Sequence, residues 1–394
     1  MRRVNAAIVF LALGANAFAL DRSHLSEDIQ SAIAHKEAAI EAARKRQKYD
    51  FVGDIRLSGS VSESRSDDSD WSRSESAGAS FSQDIFKSGG IIASIDNAEL
   101  SAQAAKLQLI QETNGYLQNL ATLLLQSKQD QIRLRQNELN IKNAEIALLI
   151  KQKQYEAGET DITQLNDALQ TKNNLRKTRL DLQNQNLSRL EEIAKLTPLK
   201  PETIPLAPFE AIDREEFLSA SLSARLAKTQ SEIARIQQKI TLSSYLPALS
   251  ASAGATRSHG ENADWHTSYN YGLTLSVPLS VTEGWAIEEK KLEALRAKSQ
   301  ERTAIEEVKR VYAQSKSAID AAKQSVDVSK ENIALYDSLI RVTRAQTQSG
   351  SLSRFDLQTL ENSRQSDLLE IESSQIAIQI ELAKLRYATD KETR

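Results

Sequence analysis

The chain repeats itself. Displaced by 194 residues, its first half meets its second without a gap: Phe51 falls on Tyr245, Ser58 on Ser252, Asp70-Trp71 on Asp264-Trp265, Gly78 on Gly272, Ser82 on Ser276 and Gly90 on Gly284. Each matched stretch leads into a long run without proline that ends at a lone glycine, Gly158 or Gly350, where the displacement has become 192. A period this long is no solenoid repeat. It marks the duplication of a half-domain, each half one β-hairpin followed by a pair of very long helices. The expected fold class is mainly α with β-hairpins.

The repeats occupy residues 20–197 and 211–394, with hairpins at about 53–86 and 247–280 and helical hairpins turning near Gly158 and Gly350. Residues 198–210 join them and hold Pro198, Pro201, Pro205 and Pro208, which exclude a helix. Residues 91–154 contain no proline and one glycine; as a helix they would reach on the order of 95 Å. Residues 285–346 are their counterpart, a helix is expected over 21–50, and another from Asp213 to about Leu242. In the last helix Leu357, Leu360, Leu368, Ile371, Ile378, Leu382 and Leu385 recur at spacings that suit coiled-coil-like packing, interrupted by Arg364 and Gln375.

Residues 1–19 read as a secretory signal: Arg2 and Arg3, an apolar stretch, then Ala17-Phe18-Ala19 as a small-x-small cleavage site. The apolar stretch is too short to span a bilayer as a helix, and no other segment comes close. Cysteine is absent, which excludes disulfides, thiolate metal sites and cysteine nucleophiles. The chain has 50 basic and 53 acidic residues; loss of the signal leaves 48 against 53, a mildly acidic, interspersed balance that argues against nucleic acid as a partner. Aromatics at 5% and charged residues at 26% suit long, thin helical packing with wet outer faces better than a thick core.

In the first hairpin Ile55, Leu57, Gly59 and Val61 alternate with Arg56, Ser58, Ser60 and Ser62; a polar loop from Ser64 to Ser74 carries Asp67, Asp68 and Asp70; then Ala77, Ala79 and Phe81 alternate with serines and Gly78. In the second, Leu249, Ala251, Ala253 and Ala255 alternate with Ser250, Ser252, Gly254 and Thr256, and Tyr271, Leu273, Leu275 and Val277 with Asn270, Gly272, Thr274 and Ser276. Strands of roughly ten residues with one apolar and one small-polar face fit a membrane barrel, and also a half-buried hairpin of a soluble α+β domain. The aromatics favour the barrel. Phe51, Phe86, Tyr245 and Trp285 flank the strands on the helix side, and Trp71 and Trp265 on the loop side, as two interfacial belts. Four strands cannot close a barrel and open edges are not tolerated in lipid, so the chain must associate; three copies give twelve strands.

The duplicated unit, the exit segments Phe81-Ser82-Gln83-Asp84-Ile85-Phe86-Lys87-Ser88-Gly89-Gly90 and Leu275-Ser276-Val277-Pro278-Leu279, the turns Tyr155-Glu156-Ala157-Gly158 and Gln348-Ser349-Gly350, and Ser351-Leu352-Ser353-Arg354-Phe355-Asp356-Leu357 after the second turn are together similar to the TolC-type outer-membrane efflux protein family. The resemblance covers the whole mature chain. It implies a homotrimer in the cell outer membrane, a twelve-stranded transmembrane β-barrel on an α-helical tunnel through the periplasm, conducting drugs, metals or proteins. It further implies a periplasmic adaptor (membrane fusion) protein and an inner-membrane pump as partners, outer-membrane lipid as surroundings, and neither catalysis nor a cofactor. Ala157, Gly158, Glu159, Ser349, Gly350 and Ser351 would form the adaptor-facing turns. Asp356 matches one aspartate ring of the family's periplasmic gate, but the second ring position is Thr359, the tie positions are Thr347 and Leu352, and in the first repeat Thr163 matches while its partner position is Gln164. The alternative is a secreted or periplasmic coiled-coil structural or adaptor protein that never enters a membrane; 13 glycines in 394 residues argue against an adaptor with its β-rich modules.

No catalytic constellation stands out. His259 and His266 fall in or near a polar loop and His24 and His35 are eleven apart on a helix, so no converging metal ligands are expected. Ser88-Gly89-Gly90 lacks the lysine-serine sequel of a phosphate loop. Glu191-Glu192 and Glu306-Glu307 are adjacent and read as solvated charge.

Overall fold

The computed structural model describes residues 20–65, 71–204, 206–260, 263–279 and 281–390. The signal segment, Asp67, Asp68 and Asp70 of the first loop, Pro205 and the terminal Arg394 lie outside these. The elements follow in the order α1 (Glu27–Lys48), β1 (Ile55–Ser64), β2 (Ser72–Phe86), α2 (Gly90–Glu156), α3 (Ile162–Leu196), α4 (Arg214–Ala220), α5 (Leu222–Ser244), β3 (Ala248–Gly260), β4 (Ala263–Ser276), α6 (Glu283–Gln348) and α7 (Arg354–Tyr387). Helix, hairpin and two long helices thus occur twice. α2 has 67 residues and α6 has 66. None of the described helices is long and apolar enough to cross a membrane.

Two compact units emerge, and each draws on both repeats. One comprises Ile33–Ile110 and Leu222–Val308; the other comprises Met1–Ala32, Gln111–Ser221 and Lys309–Arg394.

The first unit holds the strands. They form one antiparallel sheet in the order β1-β2-β3-β4, so the two hairpins are joined by pairing of β2 with β3. The strands have 10, 15, 13 and 14 residues, longer than the expected ten in three of the four. Ser64 pairs with Ser72, so the first loop is shorter than the Ser64-to-Ser74 span expected. Alternation there is hidden because both faces are polar, with serines on one and Glu63, Arg73 and Glu75 on the other. Entry to β1 is fixed by Gln83, whose Oε1 accepts from the Gly53 N–H at 2.8 Å while its Nε2 donates to the Phe51 carbonyl at 2.8 Å. A side chain at position 53 would run into the Ser82 carbonyl, so only glycine fits. Beside the sheet, α1 is tied to α2: Arg44 Nε donates to Glu99 at 2.8 Å, and Lys106 pairs with Glu41. The guanidinium of Arg44 holds the Glu99 carboxyl below its ordinary pKa, with Lys48 adding to the effect.

The second unit is built mainly of helices, with the linker after α3 and the extended Ser221 between them. α2 supplies its core with Leu117, Leu120, Ala121, Leu124 and Ile132, and α7 adds Leu382, Ala383 and Leu385. The expected α7 seam is only partly buried: Leu382 and Leu385 are inside, whereas Leu357, Leu360, Leu368, Ile371 and Ile378 are half-buried. Polar residues complete the inner face. Gln129 donates to Ser373 Oγ at 3.1 Å, Gln136 to Glu370 at 3.0 Å, and Asn143 accepts from Asn362 at 2.8 Å. These three α2 residues are spaced by seven, the interval that keeps one face toward a partner helix.

One expected helix is two. Ser221 adopts an extended conformation and bridges Thr389, and the Asp390 N–H reaches the Ala220 carbonyl at 3.0 Å. The break is imposed by the chain's distant end, so local propensity carries no trace of it. Phe217 packs on Tyr312 and Phe209 edge-on against Tyr387, with ring centroids 5.4 and 5.9 Å apart, around this junction.

Candidate channel surfaces

The sheet separates two chemistries. Register puts Ile55, Phe81, Ala253 and Tyr271 in one row, and Leu57, Ala79, Ala255 and Tyr269 in the next row on that face. Leu273 and Leu275 extend the apolar face. The opposite face carries Ser58, Gly78 and Thr256 in one row, Arg56, Ser80, Gly254 and Asn270 in another, then Ser82, Ser252 and Gly272. Its hydroxyls partner one another: Ser60 with Ser76 and Ser62 with Ser74, both at 2.8 Å. The apolar face is uncovered by the chain itself, with Leu57 78%, Tyr271 88% and Leu273 70% exposed. In water such a face would be buried against a second layer; uncovered, it needs an apolar solvent.

The aromatic residues expected at the two interfaces lie at the strand ends. Phe51 precedes β1, Phe86 closes β2, Tyr245 precedes β3 and Trp285 is in the first turn of α6; Trp71 directly precedes β2 and Trp265 is near the start of β4. All except the half-buried Phe51 and Tyr245 are exposed. His259 and His266 are strand residues, not loop residues: His259 stacks on Trp265 with centroids 5.2 Å apart, and His266 Nε2 lies 3.0 Å from Ser258 Oγ. Among the described residues no group of three or more histidines and acids converges on a metal-sized site.

The helical unit presents the two turns. Gly158 and Gly350 have φ of +74° and +79°. Each sits beyond its helix end and lets the following N–H turn back five residues: Glu159 to the Gln154 carbonyl at 2.8 Å, Ser351 to Gln346 at 2.9 Å. This left-handed closure favours glycine. Three residues after each glycine a side chain caps the next helix, Asp161 accepting from the Gln164 N–H at 3.0 Å and Ser353 from the Phe355 N–H at 3.1 Å. A cleft of about 500 Å³ beside the first turn is lined by Leu149, Ile150, Lys153, Gln154, Ala157 and Glu159, with Phe355 from the first turn of α7. The Lys153 ammonium, then Gln152, hold the Glu156 carboxyl below its ordinary pKa.

Asp356 is exposed in the first turn of α7. Its neighbours do not reconstruct the gate ties. Thr347 and Thr359 turn their hydroxyls back onto their own helices, at Thr343 and Phe355, and Gln164 accepts from Lys151 at 2.9 Å. The helical hairpins are cross-linked elsewhere: Arg344 to Glu361 at 2.8 Å and Arg364 to Asp337 at 2.6 Å between α6 and α7, Arg176 to Glu145 at 3.1 Å between α3 and α2. Arg189 of α3 also engages the fully buried Asp130 of α2 and reaches Gln126 at 2.6 Å. These pairs leave no mark in the sequence, because oppositely charged residues on separate helices are unremarkable until register is known.

An apolar sheet face backed by a hydroxyl-lined one is the pattern of a membrane β-barrel wall with an aqueous interior. The outer membrane efflux protein family model matches residues 23–197, which is nearly the whole first repeat. No curated protein matches by sequence. Among solved structures, the outer membrane protein VceC of Vibrio cholerae superposes with a TM-score of 0.74 at 12% identity, covering 92% of this chain and 93% of that one. The Campylobacter jejuni CmeC outer membrane channel gives 0.69 at 10%, covering 92% and 84%. The open state of the Neisseria gonorrhoeae MtrE outer membrane channel gives 0.67 at 12%, covering 91% and 85%. The resemblance to TolC-type outer-membrane efflux proteins therefore holds, by sequence over residues 23–197 and by fold over nearly the whole chain. The chain is an outer-membrane exit duct of efflux, extending into the periplasm, and not an enzyme.

Proposed function

We propose that three copies of this chain associate into a twelve-stranded barrel, each contributing the four strands of its two repeats, 20–197 and 211–394, on either side of the 198–210 linker. The observation that carries this is the open sheet: among the described residues β1 and β4 each pair with one strand, and none covers the apolar face. Unpaired strand edges are untenable in hydrocarbon and are removed by closure. The apolar face then meets lipid, the hydroxyl face lines the lumen, and the exposed aromatics sit at the two interfaces. Outer membrane efflux proteins as a family are trimeric and work with adaptor and inner-membrane pump partners. For this chain, the turns at 157–159 and 349–351 meet the adaptor, and Asp356 stands at the periplasmic opening. Transport is passive, driven by the docked pump.

The test is the mass of the detergent-purified chain by light scattering, with the detergent contribution subtracted. A trimer recovered from the outer-membrane fraction is expected. A stable monomer, or recovery from the soluble periplasm, excludes the assembly.

A further inference from the structure

The lipid-facing side of the sheet does not end in loops directly. Along it, the apolar row Leu57–Ala79–Ala255–Tyr269 is followed toward the loops by Gly59–Ala77–Arg257–Thr267, then by Val61, Glu75 and His259, then by Glu63 and Arg73. The change from hydrocarbon-compatible to charged side chains takes one row. Within this fringe Arg73 closes on Glu75 at 2.7 Å. Arg257 is engaged differently: its Cζ lies 5.4 Å from the centre of the Trp265 ring, and His259 stacks on that ring with planes 19° apart. Among the described residues no carboxylate pairs with Arg257.

A guanidinium held over an indole by its positive charge, with no carboxylate partner, keeps N–H donors available to a second ligand. Its N–H fork matches the oxygens of a phosphate, which it binds in bidentate fashion. Tryptophan and arginine at the edge of the hydrocarbon sit at the depth of lipid headgroups, where a free guanidinium can meet an anionic one. From the position of Arg257 at that edge, its exposure, and its support by Trp265 and His259, we infer that these three residues form a binding site for the phosphate of an anionic lipid headgroup in the leaflet on the loop side of the barrel. This rests on the reading of the apolar face as lipid-facing. The site would hold one lipid per subunit against the outer wall and fix the depth of the barrel.

The test is native mass spectrometry of the detergent-purified channel incubated with diphosphoryl lipid A, read as lipids retained per subunit. The wild type is expected to retain the lipid. Arg257→Gln should lower retention on the order of tenfold, the loss expected for charge-assisted hydrogen bonds, and Arg257→Lys, which keeps the charge without the fork, should fall between. Trp265→Leu should weaken retention with the arginine intact. Arg56→Gln, on the opposite sheet face, should leave it unchanged, and lipid A stripped of phosphate should bind the wild type no better than the diphosphoryl form binds Arg257→Gln. Unchanged retention in both Arg257→Gln and Trp265→Leu, in chains that still fractionate with the outer membrane, overturns the site. Equal retention of phosphorylated and dephosphorylated lipid also overturns it, leaving apolar contact alone. Recovery of the wild type in the soluble fraction instead overturns the lipid-facing reading beneath it.

Discussion

Helices α2 and α3 leave the same turn and meet opposite surroundings. In the helical unit α2 buries Leu117, Leu120, Ala121, Leu123, Leu124 and Ile132 within its own chain. α3, 35 residues long, buries only Ile193 and leaves Ile162, Leu169, Leu180 and Leu187 exposed. The same contrast occurs in the sheet, where hydroxyls of one face partner one another and the apolar face is met by none of the described residues. Apolar side chains exposed in register on one element call for something outside the chain. For α3 the proposed trimer supplies another copy; for the sheet it supplies lipid.

The largest effect should come from breaking the contrast at its buried end. Leu120 is fully buried, and Leu120→Ala should destabilise the fold by about 2–5 kcal/mol through lost transfer energy and a residual cavity. Leu187 is 58% exposed, so Leu187→Ala should leave the monomer's fold nearly unchanged and lower the trimer's resistance to dissociation in detergent. Thermal unfolding followed by circular dichroism, beside semi-native gel analysis of the trimer, separates the two. Equal loss of fold stability from both substitutions would remove the distinction drawn between α2 and α3.

Next comes the sheet. Leu275 shares the apolar face with Leu273, and Ser276 follows it on the other face. Leu273→Arg, nearer mid-strand, should cost about 2–4 kcal/mol, and Leu275→Arg, at the penultimate residue of β4, less. Ser276→Arg should be tolerated better and mainly alter conductance. The yield of folded trimer in the outer membrane, together with planar-bilayer conductance, reads both. Equal damage would contradict the assignment of faces.

The two turns should behave alike. At Gly158 and Gly350 nothing lies within 4 Å of an added Cβ, so an alanine is penalised by backbone conformation alone, about 1–2 kcal/mol each. A much larger loss of binding to the proposed adaptor than of stability at one of them, measured by pull-down, would assign the contact to that turn; no loss at either would remove both turns from the proposed interface.

What was legible in the sequence was local. Alternation over Ala248–Gly260 and Ala263–Ser276, and glycines in the left-handed region at 158 and 350, act within a few residues and leave a pattern there. What escaped was imposed from afar. The pairing of Ala79 with Ala255 joins hairpins that repetition alone presents as separate. The break at Ser221 depends on Thr389. The ladder of Gln129, Gln136 and Asn143 has its partners on α7, in the other repeat, so a spacing of seven on one helix is informative only once the second is in place. Asp356 was legible as a helix N-terminal acid, and its exposure agrees; a ring of three is a property of the assembly.

The smallest effect separates the turns themselves. In the first, the aspartate is spent on the cap: Asp161 accepts the Gln164 N–H. In the second, Ser353 caps α7 and Asp356, three residues on, is left exposed. An acid in the first turn of a helix is favoured by the macrodipole at about 0.3–1 kcal/mol, and that alone would account for it in a solvated position. A threefold axis near α7 changes its meaning, because three carboxylates around a narrow opening repel one another and attract cations. Asp356→Asn keeps the size and lowers the charge. If the residue lines the constriction, the intact mutant trimer should show weaker cation selectivity and weaker block by multivalent cations in planar bilayers, with trimer stability changed by well under the cost of either glycine substitution. Unchanged selectivity and block in an intact trimer would leave Asp356 as a helix-dipole residue, and the constriction would then lie with another ring near the turns.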